Sequence, residues 1–331
     1  MSENITSPDT KNSSKIRFEI STLLPVLMTV IAIICDYIFP DLDRLKKMEH
    51  PYFMYLMAVV AIGFLASSIA SSFIPAYREK YVPKVKFYTV LMFVANFANL
   101  VTAKTDWLPL IYFPSWDNIL QTYIQYSQIL MECVVASSKL YLLGILYGGV
   151  AGILIGTAIG WSKQANYWIF PIIRFIGPIP TSVWVPFAIF VFPTLGGASE
   201  FIIGLSMAFP TIVLTSSGIQ NVSKGYFEVG SMLGASTLYQ IVHIALPAAL
   251  PQIFVGMFNG VTMAFMSLMV AELIGVQAGI GWYINWQQKV MSFPDVYAAL
   301  ILLALMCFIV MKVLFLFRKK FLNWQEGAIR W

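Results

Sequence analysis

Few residues of this chain are of types that support acid–base or metal chemistry, and they are widely separated. The two histidines are His50 and His243, and the three cysteines have neither metal-site nor disulfide spacing. Charged residues inside long apolar runs are more informative, chiefly Arg174 and Glu272, with Lys139 third. Because a charge in a membrane is costly, such residues often serve transport, although each could instead extend to an interface.

The composition places these residues in a membrane protein. The chain has 331 residues, of which 59% are hydrophobic and 11% charged, with a mean hydropathy of +0.76. An average soluble domain carries roughly 25% charged residues. A soluble enzyme and a disordered or fibrous chain are therefore excluded.

Eight apolar stretches approach or exceed the length of about 20 residues that a transmembrane helix needs. We therefore expect an all-α polytopic fold with about eight transmembrane helices. The third stretch is the weakest, because it is short and contains two asparagines. The predicted spans are Ile20–Phe39, Tyr52–Ile74, Phe87–Thr102, Val134–Gly160, Trp168–Phe192, Glu200–Ile219, Gln252–Ile274 and Tyr297–Phe317.

The basic residues orient these spans. With the N-terminus inside, thirteen of the 21 basic residues fall in inner segments, five in outer segments and three within spans. Cytoplasmic loops are enriched in Lys and Arg, so both termini are predicted to be cytoplasmic.

Two spans have unusual backbones. The fourth has a glycine at every fourth position from Gly144 to Gly160, which permits very close helix packing and could also permit sliding. The fifth contains Gly177–Pro180, where two prolines remove helix donors within three residues. Irregular backbone at membrane depth is tolerated where protein buries it or where it lines a wet cavity. This break is either a structural kink or a feature that places Thr181, Ser182 and Trp184 beside a solute path.

The inner loop between the sixth and seventh spans, residues 221–250, is long and partly apolar. Phe227, Met232 and Leu233 are predicted on one side of a short helix that stops near Gly234. Such a helix either fills a groove on another protein or folds back on its own membrane domain.

This loop resembles the signature of binding-protein-dependent ABC importer permeases, E-A-A-x(3)-G-x(9)-I-x-L-P. Val229-Gly230 replaces the two alanines, and Gly230 is expected to weaken the helix. The fixed positions are Glu228, Gly234, Ile244, Leu246 and Pro247. Further segments resemble the nitrate/sulfonate/taurine branch of this MetI-like family, namely Phe113-Pro114-Ser115, Gly177-Pro178-Ile179-Pro180, Leu233-Gly234-Ala235-Ser236, Ala271-Glu272-Leu273-Ile274-Gly275 and Gly279-Ile280-Gly281.

The resemblance implies a type I importer core at residues 106–331 and an extension with about three helices at residues 1–105. It implies a homodimer in a bacterial plasma membrane, with two cytoplasmic ATPase subunits and a periplasmic or lipid-anchored binding protein. The chain lacks a phosphate loop, so it is expected to be no enzyme and to bind no cofactor, with ATP and Mg on the ATPase. The implied ATPase-coupling residues are Phe227, Glu228, Met232, Leu233, Gly234, Ala235, Ser236, Leu246 and Pro247.

The resemblance also places the fifth and seventh spans at the solute path. Asn259, Thr262 and Met263 share one helix side, and Arg174 would favour an anion. Alternatively, the polar residues only join helices and Arg174 lies among headgroups. The candidate path residues are Arg174, Ser182, Trp184, Asn259, Thr262, Met263, Ser267 and Glu272.

The resemblance implies an ATP-driven importer of a small anionic solute such as a sulfonate, taurine or nitrate, and two other functions are alternatives to it. A secondary transporter driven by an ion gradient would carry intramembrane carboxylates, for which Asp36 and Glu272 are the candidates, and often an internal repeat, which the sequence lacks. A membrane anchor or channel subunit is the other. Neither needs the loop signature, which favours the importer.

Overall fold

The computed structural model describes residues 19–39, 51–105, 107–109, 111–274 and 278–322, and every regular element in them is helical. Within these described residues, seven helices are long and apolar enough to cross a membrane, and the number rises to eight if one bent helix pair is counted as a span. This agrees with the predicted all-α polytopic fold. The chain divides into two compact units, Met1–Gln125 and Tyr126–Trp331.

In the first unit, the described residues form the α-helices α1 (Leu24–Ile38), α2 (Tyr52–Phe73), α3 (Pro75–Asn99) and α4 (Trp116–Gln125). A π-helical turn, Leu100–Lys104, extends α3, so the third span is a 30-residue helix rather than the short one predicted. The prediction missed its first half because that half carries the basic residues between positions 78 and 86.

Polar contacts connect the helices of this first unit. The Asp36 carboxylate lies 3.1 Å from Lys104 Nζ and also accepts a hydrogen bond from Asn99 Nδ2 at 3.1 Å. Nearer the other end, the hydroxyls of Thr22 and Ser68 are 2.7 Å apart. Asp36, one of the two intramembrane carboxylates, is therefore engaged between helices.

The second unit contains the longest helices. The described α-helices of this unit, long and short, are α5 (Ser127–Trp161), α6 (Lys163–Ile176), α7 (Val185–Val191), α8 (Leu195–Gln220), α9 (Lys224–Met232), α10 (Thr237–Gln240), α11 (Leu246–Glu272), α12 (Ile280–Lys289) and α13 (Phe293–Phe321). Helices α5, α8 and α11 pack together as the centre of this unit, and Tyr141 Oη of α5 donates to the Val261 carbonyl of α11 at 2.7 Å. Proline in the first turn begins several helices, among them α7, α11 and α13, where its missing N–H costs no hydrogen bond.

The glycines of α5 allow this packing. A Cβ built on Gly148 would lie 2.2 Å from the Gly204 carbonyl oxygen of α8, and one on Gly144 would lie 2.5 Å from the Ile203 side chain. Gly152, Gly156 and the other glycines of the stripe meet α8 in the same way. The predicted close packing of the fourth span is confirmed.

The predicted fifth span, Trp168–Phe192, is not one helix. It consists of α6 and a second helical piece, Thr181–Val191, which are bent by 100° at the break. The first piece begins at Lys163, five residues before the predicted start, because Ser162 caps it by accepting from the Ala165 amide. The irregular backbone expected from the prolines at positions 178 and 180 is present.

Candidate functional site

A cavity of about 420 Å³ lies beside the break between α6 and α7. One wall is the break itself, Gly177–Ser182, and a second is formed by Ser206 and Phe209 of α8. The third wall is a stripe on α11, and it consists of Met263, Met266, Ser267 and Val270. Residues spaced by three and four positions share one helix face, so one side of α11 supplies this whole wall.

The backbone of the break explains why the cavity exists. Pro178 and Pro180 have no N–H, so the α6 ladder cannot continue through them. The chain instead makes isolated turns, in which the Ile179 amide donates to the Ile176 carbonyl at 3.0 Å and the Val183 amide to the Pro180 carbonyl at 3.0 Å. The chain then turns away from the α6 axis, which leaves space against α8 and α11.

Three hydroxyl groups form a chain in one corner of the cavity. Ser267 Oγ lies 2.7 Å from Thr181 Oγ1 and 2.6 Å from Ser206 Oγ. Ser206 Oγ also lies 3.0 Å from the carbonyl oxygen of Ile202 in its own helix. The three side chains belong to the break, to α11 and to α8, so the row of hydroxyl groups connects all three walls of the cavity.

Three of the eight candidate path residues line this cavity: Ser182, Met263 and Ser267. The other five are placed differently. Arg174 is exposed and lies over the Phe170 ring at 5.4 Å. Whether it meets a solute stays a prediction.

The remaining polar candidates also lie outside the cavity wall. Thr262 is exposed and donates to the Phe258 carbonyl at 2.9 Å, within its own helix. Asn259 is exposed one turn before Met263 on the same side of α11. Trp184 is half-buried just after the break, and its Nε1 has no hydrogen-bond partner among the described contacts.

Sequence reasoning missed four lining residues. Met266 and Val270 follow Met263 at the three- and seven-residue spacing of one helix face, so the period of α11 could have identified them. Ser206 and Phe209 lie on α8, and no local pattern in the sequence connects them with the break. Their place depends on the packing of α8 against α11, which only the three-dimensional structure provides.

Glu272 joins three helices rather than lining the cavity. It is 1% exposed, at the end of α11, and it accepts hydrogen bonds from Ser137 Oγ of α5 and from the Gly281 amide at the start of α12. The Ile280 amide donates to Ser137 Oγ at 2.7 Å, which closes the group. A Cβ on Gly279 would lie 2.6 Å from the Glu272 carboxyl carbon, which explains the glycine after this glutamate. Gly275 of the same motif lies outside the described residues.

The long inner loop contains the predicted short helix. α9 ends at Met232, and Gly234 follows with φ +79°, the left-handed conformation that glycine adopts most readily. The Ala235 amide donates to the Gly230 carbonyl at 2.9 Å, which satisfies one of the final carbonyls of α9. Gly230 does not break the helix, because it is buried against the Ile244 side chain, which a Cβ there would approach to 2.9 Å.

The apolar residues of α9 do not share one face, which corrects the sequence-based expectation. Phe227 turns inward, where its ring packs edge-on against Trp161 of α5 at 5.3 Å and against a buried cluster that includes Ala249. Met232 and Leu233 are 86% and 80% exposed. The loop therefore folds back on the membrane unit at Phe227 and leaves an apolar tip, Met232 and Leu233, uncovered.

Known proteins resemble this chain over the second unit. Residues 148–323, more than half of the chain, match the family of binding-protein-dependent transport system inner membrane components. A protein named as an aliphatic sulfonates transport permease, SsuC of Bacillus subtilis, is 30% identical over 185 residues, which are 56% of this chain and 67% of that one. The nitrate import permease protein NrtB of Synechococcus elongatus is 29% identical over 56% of this chain and 64% of its own length.

Two further proteins are similar to parts of this chain. The bicarbonate transport system permease protein CmpB of Synechococcus elongatus is 29% identical over 45% of this chain and 55% of its own length. A crystal structure of an amino acid ABC transporter with histidines matches with a TM-score of 0.49 and 18% identity, over 60% of this chain and 97% of that one. The chain thus spans about two thirds of SsuC and NrtB and just over half of CmpB. It is a multi-pass membrane protein that belongs to the binding-protein-dependent transport system inner membrane component family, as an ABC importer permease of the nitrate/sulfonate branch.

Proposed function

We propose that this chain is the permease subunit of an ATP-driven importer and forms the path of a small anionic solute. A binding protein delivers the solute from outside, and two separate cytoplasmic ATPase subunits bind ATP and Mg and hydrolyse the ATP. The names of the relatives suggest the solute class, since they refer to sulfonates, nitrate and bicarbonate. The observation that carries the proposal is the exposed apolar tip of Met232 and Leu233 on a short helix with the family's loop signature.

The geometry of the tip suits a docking role. Gln240 Nε2 donates to Ser231 Oγ and to the Ala235 carbonyl, each at 3.1 Å, so the residues on both sides of Gly234 are tied together. Exposed apolar side chains on a rigid support favour burial in a groove of a partner. The predicted coupling residues also include Glu228 and Ser236, which are exposed, while Leu246 and Pro247 form the first turn of α11.

The test replaces Gly234 with valine in a cell that also expresses the ATPase and the binding protein. A β-branched residue is strained at φ +79°, so the turn should change shape, the ATPase should co-purify poorly and uptake should be lost. Gly63→Val is the control, because its Cβ would meet nothing within 4 Å and its backbone φ is ordinary. Normal ATPase association and normal uptake in Gly234→Val would contradict the proposal.

We further propose that both termini and the 221–250 loop are cytoplasmic. The bias of thirteen inner against five outer basic residues supports this orientation. Single cysteines placed after Arg78 and after Arg318 should resist a membrane-impermeant thiol reagent in intact cells and react after lysis. Reaction of either cysteine with the reagent in intact cells would contradict the proposed orientation.

The 1–105 extension and the 106–331 core are proposed as the functional division of the chain. The family match supports this division, because it begins at residue 148 and leaves the first three spans unmatched. Deletion of the extension should therefore leave ATPase association intact.

A further inference from the structure

We propose that Thr181, Ser267 and Ser206 act as a hydroxyl relay that donates one O–H to the oxyanion head of a small organic solute. The apolar body of that solute would lie against the α11 wall of the same cavity. This inference rests on the proposed function of the cavity as part of the solute path, and it names the chemical class that the cavity accepts.

Proton counting shows how the relay can serve an acceptor. Each hydroxyl has one hydrogen, so a chain of three can be oriented in two directions. If Ser206 donates to the Ile202 carbonyl, Ser267 donates to Ser206 and Thr181 to Ser267, and only lone pairs face the cavity. If Ser206 donates to Ser267 instead, Ser267 donates to Thr181 and the Thr181 hydrogen is free for the solute.

An oxyanion selects the second direction because it can only accept. The change costs little inside the protein, since Ile202 lies within α8, where its carbonyl also serves the helix ladder. Ser206 is 3% exposed, so its part is to set the direction of the chain, whereas Thr181 meets the solute.

The rest of the cavity wall argues for an organic solute. Among the described residues that line this cavity, none carries a charged side chain, so these residues do not neutralise the charge of the solute. Across from the hydroxyls lie Met263, Met266 and Val270, with Phe209 on the α8 side. About 420 Å³ is far more space than a bare inorganic oxyanion fills. An alkyl group on the solute would fill this space and contact the apolar wall, and the affinity should rise about fourfold for each methylene that is buried there.

Weak binding is expected, because a transport path must release what it admits. The experiment is therefore saturation-transfer NMR, which detects millimolar affinities, on the permease–ATPase complex in lipid nanodiscs. The probes are methanesulfonate, ethanesulfonate and butanesulfonate, and nitrate is added as a competitor. Empty nanodiscs give the background.

The wild-type complex should bind butanesulfonate most tightly, with the terminal methyl receiving more saturation than the methylene beside sulfur. Thr181→Val keeps the shape and removes the hydroxyl, so it should weaken sulfonate binding about tenfold or more, since the lost bond joins a charged acceptor. Thr181→Ser keeps the hydroxyl and should retain binding. Ser206→Ala removes the hydroxyl that donates to Ser267 in the solute-bound direction, so it should weaken sulfonate binding, but by less than Thr181→Val does.

Ser216→Ala is the matched control, because Ser216 is a buried serine of α8 that bonds the Val213 carbonyl and does not line the cavity. Wild-type affinity in Thr181→Val would overturn the relay, and equal affinities along the sulfonate series would overturn the apolar wall. Absence of any signal above empty nanodiscs would overturn the whole inference. Gel filtration and ATPase activity report assembly separately, and the permease alone in nanodiscs tests the cavity even if no ATPase binds.

Discussion

Adding one methyl group to α5 at Gly148 should destabilise the permease much more than adding one at the adjacent Gly149. At Gly148 the new Cβ would lie 2.2 Å from the Gly204 carbonyl oxygen, and ordinary contact begins at 3.4 Å. At Gly149 the nearest atom is Met207 Cε at 3.2 Å, the mobile end of a flexible side chain. Both substitutions replace glycine with alanine in the same helix, but Gly148→Ala must displace the backbone of α8, whereas Gly149→Ala must displace only the end of the Met207 side chain.

The expected magnitudes follow from these contacts. Replacing a helical glycine with alanine gains about 0.5–1 kcal/mol where there is room. Gly149→Ala should therefore be neutral or slightly stabilising. At Gly148 the obstacle is backbone, so α5 and α8 must separate by about 1 Å along a contact that several other glycines share. Overpacking of this kind costs about 1–3 kcal/mol or more, which exceeds the helix gain.

The assay is the midpoint of thermal unfolding of the purified permease in detergent, with wild type and both variants measured together. At about 2–4 °C for each kcal/mol, Gly148→Ala should unfold several degrees below Gly149→Ala. Equal midpoints for the two variants would refute the direct backbone contact between α5 and α8.

Three further predictions concern the hydrogen bonds of Glu272, the packing of Phe227 in α9 and the number of permease copies in the complex. Glu272→Gln should lower the stability by about 1–3 kcal/mol, because the new amide N–H groups would face Ser137 Oγ and the Gly281 amide, which already donate to Glu272. Glu132→Gln, on the exposed face of α5, is the control and should leave the midpoint of thermal unfolding unchanged. Phe227→Ala should leave the ATPase bound but lower the solute imported per ATP hydrolysed, whereas Tyr226→Ala, at an exposed neighbour, should keep that ratio. A cysteine at Asn259 should cross-link two copies of the permease, and a complex with only one copy by native mass would exclude the homodimer.

Apolar length, proline and glycine were sufficient to predict most of the fold. They are local signals: a helix must cover the bilayer, Pro178 and Pro180 cannot donate, and a four-residue glycine period marks one helix face. The predicted starts of the third span and of α6 were wrong because a helix can extend beyond the apolar residues that cross the membrane. In both cases the helix includes a basic segment before the apolar stretch, and hydropathy alone does not detect that segment.

The candidate site was predicted less completely because its groups meet across the chain. Glu272 and Ser137 are 135 residues apart in sequence, so no spacing rule connects them, and a lone intramembrane carboxylate was reasonably assigned to the path. Ser206 was missed for the same reason. Phe227 was misplaced because α9 has only nine residues, too few for an apolar stripe to reveal which side meets the membrane unit.

The exposed tip and the cavity are connected by continuous structure. Met232 is the last residue of α9 and Leu233 follows it, while Phe227 of α9 packs against Trp161, the last residue of α5. On the other side of the loop, α10, a π-helical turn at Ile241–Ala245 and α11 form one continuous helical span, Thr237–Glu272, that includes the cavity wall. Because packed helices move as rigid bodies more easily than they deform, we expect that in the proposed coupling a displacement of the tip would move both α5 and α11. The break between α6 and α7 lies against the α11 wall of the cavity and has few regular hydrogen bonds of its own, so we expect it to be the part of the cavity that changes shape most easily.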